Sequence, residues 1–469
     1  MSEIKTKTAK DYAILCIAAV LLLLAVVAPP VGALTKPMVS LIFLFIMGIL
    51  LWVTLAIPIA ATSLLVTAMV PLLKITPSLG AAFTGYANPT QYFIVASFAL
   101  GMAIGKTTIT SRMLVALLKI SKGKISIICL SLMSVAGLIS MFLSDVATVV
   151  IMLYFVYDLS KLIENEESKA KLMRLMMIAL PFGSMIVGST TTVGGTTTVM
   201  AVNMLRAHNG FTIYFFQWLI VAFPPALCAH FFAWFMLTKI FKADDIPQDV
   251  VHKFLKEVKY EAKAKNEPVT VFIIFLIIAL WILEAWLPIF DTTTSAIFGF
   301  ALLFLVGALT WDEFRDGMSW EVPLMGGAVT GLGTAALNLG LVKMVTDGVM
   351  SAFPSVNPFG LIVIYASLIT AVLIFVPVGP AMVAMLAVPG YILAESLGIG
   401  LHPLAMVILT GTFAGNTSVV PLSATFLISY TKGHWKATEL FKVGIPISIV
   451  WILLSGVWIP FAAKLVYGG

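Results

Sequence analysis

Charge is what this sequence has least of: Lys, Arg, Asp and Glu make up 11% of 469 residues, against 60% apolar. A soluble domain carries about a quarter charged residues, so the deficit excludes an ordinary water-facing surface. Cysteine is scarce too. The three present, Cys16, Cys129 and Cys228, lie in or beside apolar runs without paired spacing, which excludes a disulfide framework and a zinc site. There is no His-Glu-x-x-His, no phosphate-binding glycine loop and no nucleophile–base pair, so nothing points to an enzyme or an organic cofactor. The net charge of +6 comes from Lys and Arg set between apolar runs. There it reports membrane topology, not nucleic-acid binding.

What is present is apolar length. A helix needs about 20 apolar residues to cross a bilayer, and the sequence predicts an all-α integral membrane protein with about 11 crossings: 12–31, 38–57, 58–74, 91–106, 175–205, 213–238, 268–288, 292–310, 321–341, 403–430 and 442–464. The first follows Lys5, Lys7 and Lys10 but is too long, and too poor in small residues at its end, for a cleaved signal peptide. Two more apolar stretches, 125–157 and 359–397, would each run about 50 Å as one helix. Their centres hold Ser144-Asp145 and Pro377-Val378-Gly379-Pro380. Both are read as re-entrant helical hairpins, because polar or broken backbone at that depth survives only where it is buried or lines a cavity.

Sidedness follows from charge. With the N-terminus cytoplasmic and each hairpin returning to its own side, 23 of the 28 Lys and Arg fall inside and five outside, the asymmetry expected of a cell (inner) membrane protein. The C-terminus is then extracytoplasmic. Asp244–Lys265 spaces Val250, Val251, Phe254, Leu255 and Val258 on one helical face opposite lysines. That pattern predicts a cytoplasmic helix lying on the membrane surface. Glu284 and Glu395 fall near span ends, and His230 reads as a packing histidine.

One order of elements occurs twice: a crossing, a polar arm, a hairpin and a polar-centred crossing. It runs through 91–106, 107–124, 125–157 and 175–205, then through 321–341, 342–357, 359–397 and 403–430. The first arm falls inside and the second outside, so the halves are inverted. Such paired interruptions point to a secondary transporter with its site at the repeat interface. The expected units are 1–124 (scaffold helices and first arm), 125–212 (first transport unit), 213–357 (scaffold, surface helix and second arm), 358–435 (second transport unit) and 436–469 (C-terminal helix).

The interruptions carry the chemistry. Ten of the twelve residues from Gly188 to Val199 are Gly, Ser or Thr, and Gly411-Thr-Phe-Ala-Gly415-Asn416-Thr417-Ser418 is the counterpart. Glycine releases backbone from helical geometry, which frees carbonyls for a cation and amides for an anion. Hydroxyls and the Asn amide add neutral polar groups. In the first hairpin Ser140, Ser144, Asp145 and Thr148 cluster, and an ionisable Asp145 at this depth marks function, through a bound Na⁺ or a carried proton.

At these residues the chain resembles the divalent anion:sodium symporter family, within the wider ion transporter superfamily, as a divergent member. The likeness rests on Trp52-Val-Thr-Leu-Ala-Ile-Pro58, Ala87-Asn88-Pro89, Ser140 to Thr148, the Gly/Thr-rich break after Met185, and Trp320-Glu-Val with Gly326-Gly327. It implies a homodimer working by an elevator mechanism, in which a transport domain carries dicarboxylate, citrate or sulfate past a fixed scaffold. The family's Ser-Asn-Thr hairpin tips bind carboxylate and sodium. Carried over by position, Ser144 matches the Ser, Asp145 stands where Asn is expected and Val146 where Thr is expected. Gly379, Pro380 and Ala381 occupy the second tip.

The expected substrate contacts are Ser144, Asp145, Thr190, Thr191, Gly195, Thr196, Gly379, Pro380, Asn416, Thr417 and Ser418. The expected Na⁺ ligands are Ser140, Ser144, Asp145, Gly188, Thr192 and Gly415. A Na⁺-coupled dicarboxylate carrier is the leading expectation. Proton coupling, substrate exchange, carriage of sulfate or another small solute, and ion antiport are the alternatives. A channel and a membrane-embedded enzyme fit the inverted pairing less well.

Overall fold

The computed structural model describes every residue except 1–8, 55, 143–144, 162, 212, 258–265, 284–287, 319, 342–343, 345–355, 376–378, 417–422 and 469. Among the described residues it is all-helical, with one isolated bridge between Val31 and Leu34 and no strand. The second arm, Glu284 and the second hairpin's Pro377-Val378 lie mostly or wholly outside the described residues.

The N-terminal helices are α1 (Ala9–Val27), α2 (Lys36–Thr54) and α3 (Ile59–Leu72), followed by the single turn α4 (Leu79–Ala82) and α5 (Pro89–Gly105). The first two are stitched at one end. Lys36 Nζ donates to the carbonyls of Ala25, Val26 and Ala28 at 3.2, 2.7 and 2.7 Å, and Ser40 Oγ donates to Ala25 O at 2.7 Å. These are the carbonyls that a helix end leaves without an internal donor.

Two residues that carry the family likeness, Trp52 and Gly327, are packing residues. Trp52 Nε1 donates to Ser63 Oγ (3.2 Å), and Thr67 Oγ1 is 3.2 Å from the Tyr86 hydroxyl. Gly85 lies against the backbone of Gly327 and Gly331, and Tyr86 covers Gly327, so a Cβ at either glycine would collide. The partner of that close contact is α16 (Glu321–Asn338).

Next come α6 (Ile109–Ser121), α7 (Ile125–Ser140), α8 (Asp145–Ser160), α9 (Glu166–Gly188), α10 (Thr196–Asn209) and α11 (Phe215–Ile240). Each leg of the first predicted hairpin, α7 and α8, has 16 residues. That is about 24 Å, short of a ~30 Å hydrocarbon core. Helix α9 starts where Asn165 Oδ1 accepts from the amides of Glu167 and Ser168, and every position from Leu175 to Gly188 is buried. It is the hub, packed by α7, α8 and α11. The α7–α9 approach is set by glycine: a Cβ at Gly183 would meet the Met133 backbone at 2.5 Å, and one at Gly137 the Val187 Cβ at 2.7 Å.

Then follow α12 (Gln248–Glu257), α13 (Glu267–Leu283), α14 (Thr292–Leu305) and α15 (Trp311–Gly317), the last opened by a Thr310–Glu313 capping box. After α16 the chain forms α17 (Pro358–Phe375), α18 (Gly379–Leu397), α19 (Leu404–Ala414), α20 (Ala424–Tyr430) and α21 (Ala437–Tyr467). Among the described residues three helices, α9, α11 and α21, are long and apolar enough to span a membrane, and eleven more apolar segments are 10–17 residues long. The stretches 175–205 and 403–430 are each two helices, broken at the glycine- and threonine-rich positions.

Helix α6 is held at both ends. Lys106, just before it, pairs with Glu313 at 2.8 Å and holds that carboxyl below the usual carboxylate range, while Thr108 donates to Glu267 Oε1 through its amide and hydroxyl at 2.6 Å. At its other end Lys122 and Gly123 turn left-handed (φ 50° and 82°), Ile246 N donates to Gly123 O (2.9 Å) and Asp245 Oδ1 accepts from Ile125 N (2.8 Å). This turn corrects one expectation. Helix α12 does not rest its whole apolar face on the membrane, because Val251 is buried against the Gly123 turn; Val258 lies outside the described residues. Farther along, Arg174 pairs with Glu439 of α21 and lies over the Phe241 ring.

Replacing Gly183 by Val should force α7 from α9 and lower the thermal midpoint in detergent, as overpacking costs about 1–3 kcal/mol. Gly80→Ala, where the nearest atom to a Cβ is Ser78 Oγ at 3.8 Å, should leave it unchanged.

Candidate functional site

Helix α9 ends at Gly188 in fully buried surroundings, and the chain does not resume a helix until Thr196. A helix end leaves carbonyls without intrahelical donors, and burial makes each orphan costly. Local hydroxyls meet most of that demand. Ser189 Oγ donates to Ile186 O (3.1 Å), Thr190 Oγ1 to Val187 O (2.6 Å) and Thr198 Oγ1 to Gly195 O (2.8 Å). Thr191 Oγ1 crosses to Met141 O of the first hairpin (2.6 Å) and accepts from Gly194 N (2.9 Å). Trp218 Nε1, from α11, donates to Ser189 O (3.1 Å).

Two carbonyls stand apart from this network. Those of Gly188 and Ser140 receive no hydrogen bond from a described residue, and both lie within 3 Å of where a Cβ on Gly194 would stand. The Ser140 hydroxyl and Asp145 Oδ1 join them: Ser140 donates to Asp145, and a Cβ on Gly188 would run into Ser140 Oγ and reach Asp145 Oδ1 at 2.5 Å. Ser140 ends α7, and Asp145, half-buried, begins α8 with its own carbonyl accepting from Ser184 Oγ at 3.2 Å. Hard oxygens thus lie on two sides of Gly188, its own carbonyl and that of Ser140 towards Gly194, and the Ser140 hydroxyl and Asp145 carboxylate where a side chain would stand, with a single formal negative charge. Hard oxygens around an unwound helix suit a small alkali cation. Thr192 and Thr148 are buried nearby in sequence, and neither hydroxyl has a partner among the described residues.

Helix α10 begins beside this set. Its N-cap, Gly195, offers no side-chain acceptor, and Thr196 follows half-buried. The first amides of such a helix attract an anion. Thr197 then ties the first break to the second. Its Cγ2 lies 2.7 Å, and the Ala414 carbonyl 2.6 Å, from where a Cβ on Gly379 would stand, and its Oγ1 lies 3.0 Å from the same position on Gly415. Gly379 and the half-buried Pro380 open α18; Pro suits a helix's first turn because it has no amide hydrogen to leave unpaired. Asn416 is fully buried after α19, its amide donating to Phe413 O at 2.9 Å.

The structure therefore brings together Ser140, Asp145 and Gly188 in one place, and Gly379 and Gly415 in another, with α10 opening between them. The hydroxyls of Thr190 and Thr191, expected at the substrate, are held by backbone carbonyls instead. Ser144, Thr417 and Ser418 lie outside the described residues. Sequence reasoning missed Thr197 and Gly194, although both lie in the Gly/Thr-rich run. It also missed Trp218, which no pattern in its apolar helix marks. Away from the site, His230 is buried with Nε2 3.2 Å from Ser134 Oγ.

A family model described as citrate transporter (CitMHS) matches residues 49–411. The sodium-dependent dicarboxylate transporters SdcS of Staphylococcus aureus strains USA300 and NCTC 8325 are each 29% identical over 294 residues, 58% of this chain and 55% of theirs. The chain thus spans about half the length of these curated relatives. The solved YdaH transporter of Alcanivorax borkumensis, described as having an unusual topology, superposes with a TM-score of 0.52 at 13% identity, covering 98% of this chain and 99% of that one. That likeness concerns the fold alone.

Gly188→Ala should lower the thermal midpoint in detergent, because its Cβ enters the Ser140–Asp145 contact. Gly195→Ala, whose Cβ would find its nearest neighbour at 3.8 Å, should leave it unchanged.

Proposed function

Because this chain belongs to the citrate transporter family, we propose that it is a multi-pass membrane carrier that moves a small dicarboxylate-type anion together with Na⁺. The observation that carries this reading is the Ser140–Asp145 contact against Gly188 at the end of α9, with the Ser140 and Gly188 carbonyls, unbonded among the described residues, side by side at Gly194 and the uncapped start of α10 next to them. The first offers a seat for a cation and the second a seat for an anion. The name of the SdcS relatives, sodium-dependent dicarboxylate transporter, favours the same pair of solutes.

Asp145 gives the cycle an order. A carboxylate and a substrate anion about 4 Å apart repel by ~4 kcal/mol at an effective dielectric near 20. Na⁺ at Asp145 removes that repulsion, so the cation binds first. The burial of Thr148, Ser184 and Gly188 around Asp145 favours one second reading, in which a proton on Asp145 replaces Na⁺, because an unpaired charge at this depth is costly.

We infer an alternating-access cycle, which the packing of the helices supports. We assign 125–212 and 358–435 as two inverted transport units, with the segments 1–124 and 213–357 contributing the scaffold and 436–469 the last helix. The boundary that supports motion is apolar: Phe93, Ala96 and Leu100 of α5 share a cluster with Val193, Val199 and Phe215 from the first break, α10 and α11. At this face the helices meet through apolar contact. In this reading α6, pinned at both ends, is the inner arm, the working unit is a homodimer, and the cytoplasmic side holds the N-terminus.

Labelled succinate counterflow into proteoliposomes tests the reading. Saturable uptake that needs Na⁺, and that falls in Asp145→Ala, is the expected result. Uptake driven by a pH gradient with no response to Na⁺ would establish the proton reading instead. Silence under every gradient, from folded protein, would overturn the dicarboxylate assignment.

A further inference from the structure

Trp218 lies in the first turn of α11, is wholly buried, and touches both helix breaks at once. At one edge its indole N–H donates to Ser189 O, the residue directly after Gly188. At the other edge its six-membered ring fills the space left by Gly411 on α19, where an added Cβ would stand 2.5 Å from Cη2 and 3.0 Å from Cζ2. Gly411 sits one helical turn before Gly415, at the second break. The same position on Gly411 is 3.1 Å from Ala201 Cβ of α10. One rigid side chain thus spans the end of α9 and the approach to the second break.

The hydrogen bond has a consequence for the neighbouring carbonyl. Ser189 O is an orphan of the α9 terminus and would otherwise compete for any cation in the break. With Trp218 holding it, the backbone at Gly188–Ser189 has a fixed orientation, and the Gly188 carbonyl is left beside the Ser140 carbonyl at Gly194, next to the Ser140–Asp145 contact. Pre-oriented ligands lose less freedom when the ion arrives.

We infer that Trp218 is a positioning residue for the cation site, and that it transmits the state of the second break to the first by having its ring wedged at Gly411. This inference rests on the sodium-coupled reading above. It predicts that the residue acts on cation affinity and leaves the substrate constant nearly untouched.

The test uses purified full-length protein with two readouts, labelled-succinate uptake in proteoliposomes and Na⁺-induced thermal stabilisation in detergent without substrate. Trp218→Phe keeps an aromatic ring in place while removing the indole N–H and the ring edge that meets Gly411. Half-saturation by Na⁺ should rise at least fivefold in both readouts, and the KM for succinate at saturating Na⁺ should stay within twofold. Gly411→Ala pushes on the same ring from the other break and should raise the Na⁺ half-saturation too. In the Trp218→Phe background, where the ring edge is gone, Gly411→Ala should add little, a non-additivity that contacting residues show.

Equal shifts in both constants, an unchanged Na⁺ constant in either single variant, or full additivity would overturn the inference. If Trp218→Phe fails to fold, Gly411→Ala alone decides by its Na⁺ constant. A parent protein insensitive to Na⁺ would instead remove the coupling reading, and this inference with it, and that failure shows in the parent curve before any variant is made.

Discussion

A helix that stops inside a buried core is the constraint on which the rest of this structure depends. From Leu175 to Gly188 α9 has no exposed position, so its terminal carbonyls have no water to turn to. An amide group buried without a partner costs about 1–3 kcal/mol by mutational measures. The Ser and Thr residues that follow are there first to meet that demand. Ser189, Thr190 and Thr191 each donate to a different carbonyl, and Trp218 reaches in from α11 for a fourth. What no described residue meets, at Gly188 and Ser140, lies side by side at Gly194, with the Ser140–Asp145 contact next to it.

Glycine supplies the second half of the arrangement. A side chain at 188 would enter the Ser140–Asp145 contact, and one at 194 would collide with the Gly188 and Ser140 carbonyls. At 379 and 415 the same absence lets Thr197 approach the start of α18 and the end of α19. Both places are therefore built by leaving out side chains, with α10 rising between them. The hub of α7, α9, α11 and α21 gives these contacts their rigidity, helped by the Arg174–Glu439 pair under the bundle.

Much of this was legible in the sequence because membrane solubility and helix geometry leave few choices. Apolar length placed the helices, and Gly188–Val199 and Gly411–Ser418 marked the breaks, since a run of small polar residues cannot continue a buried helix unaided. Ser140 and Asp145 were legible for the same reason, as polar groups in an apolar stretch. Other features were not. Whether a threonine hydroxyl faces a ligand or a carbonyl depends on which backbone lies opposite it, so Thr190 and Thr191 looked like ligands. The amphipathic pattern of α12 is the same whether its apolar face meets lipid or protein, and only the left-handed turn at Lys122–Gly123 shows that Val251 meets protein. Trp218 is one aromatic residue among many in an apolar helix, and its role arises from two contacts distant in sequence.

The stitch between α1 and α2 bears on how force passes between them. Lys36 and Ser40 satisfy the last carbonyls of α1 from within the next helix, so this end of the backbone needs no third helix to complete it. Drawing the two apart would strip four hydrogen bonds at once, and a carbonyl left without a donor is costly. The two helices therefore tilt and shift as one lever arm and not as two independent rods.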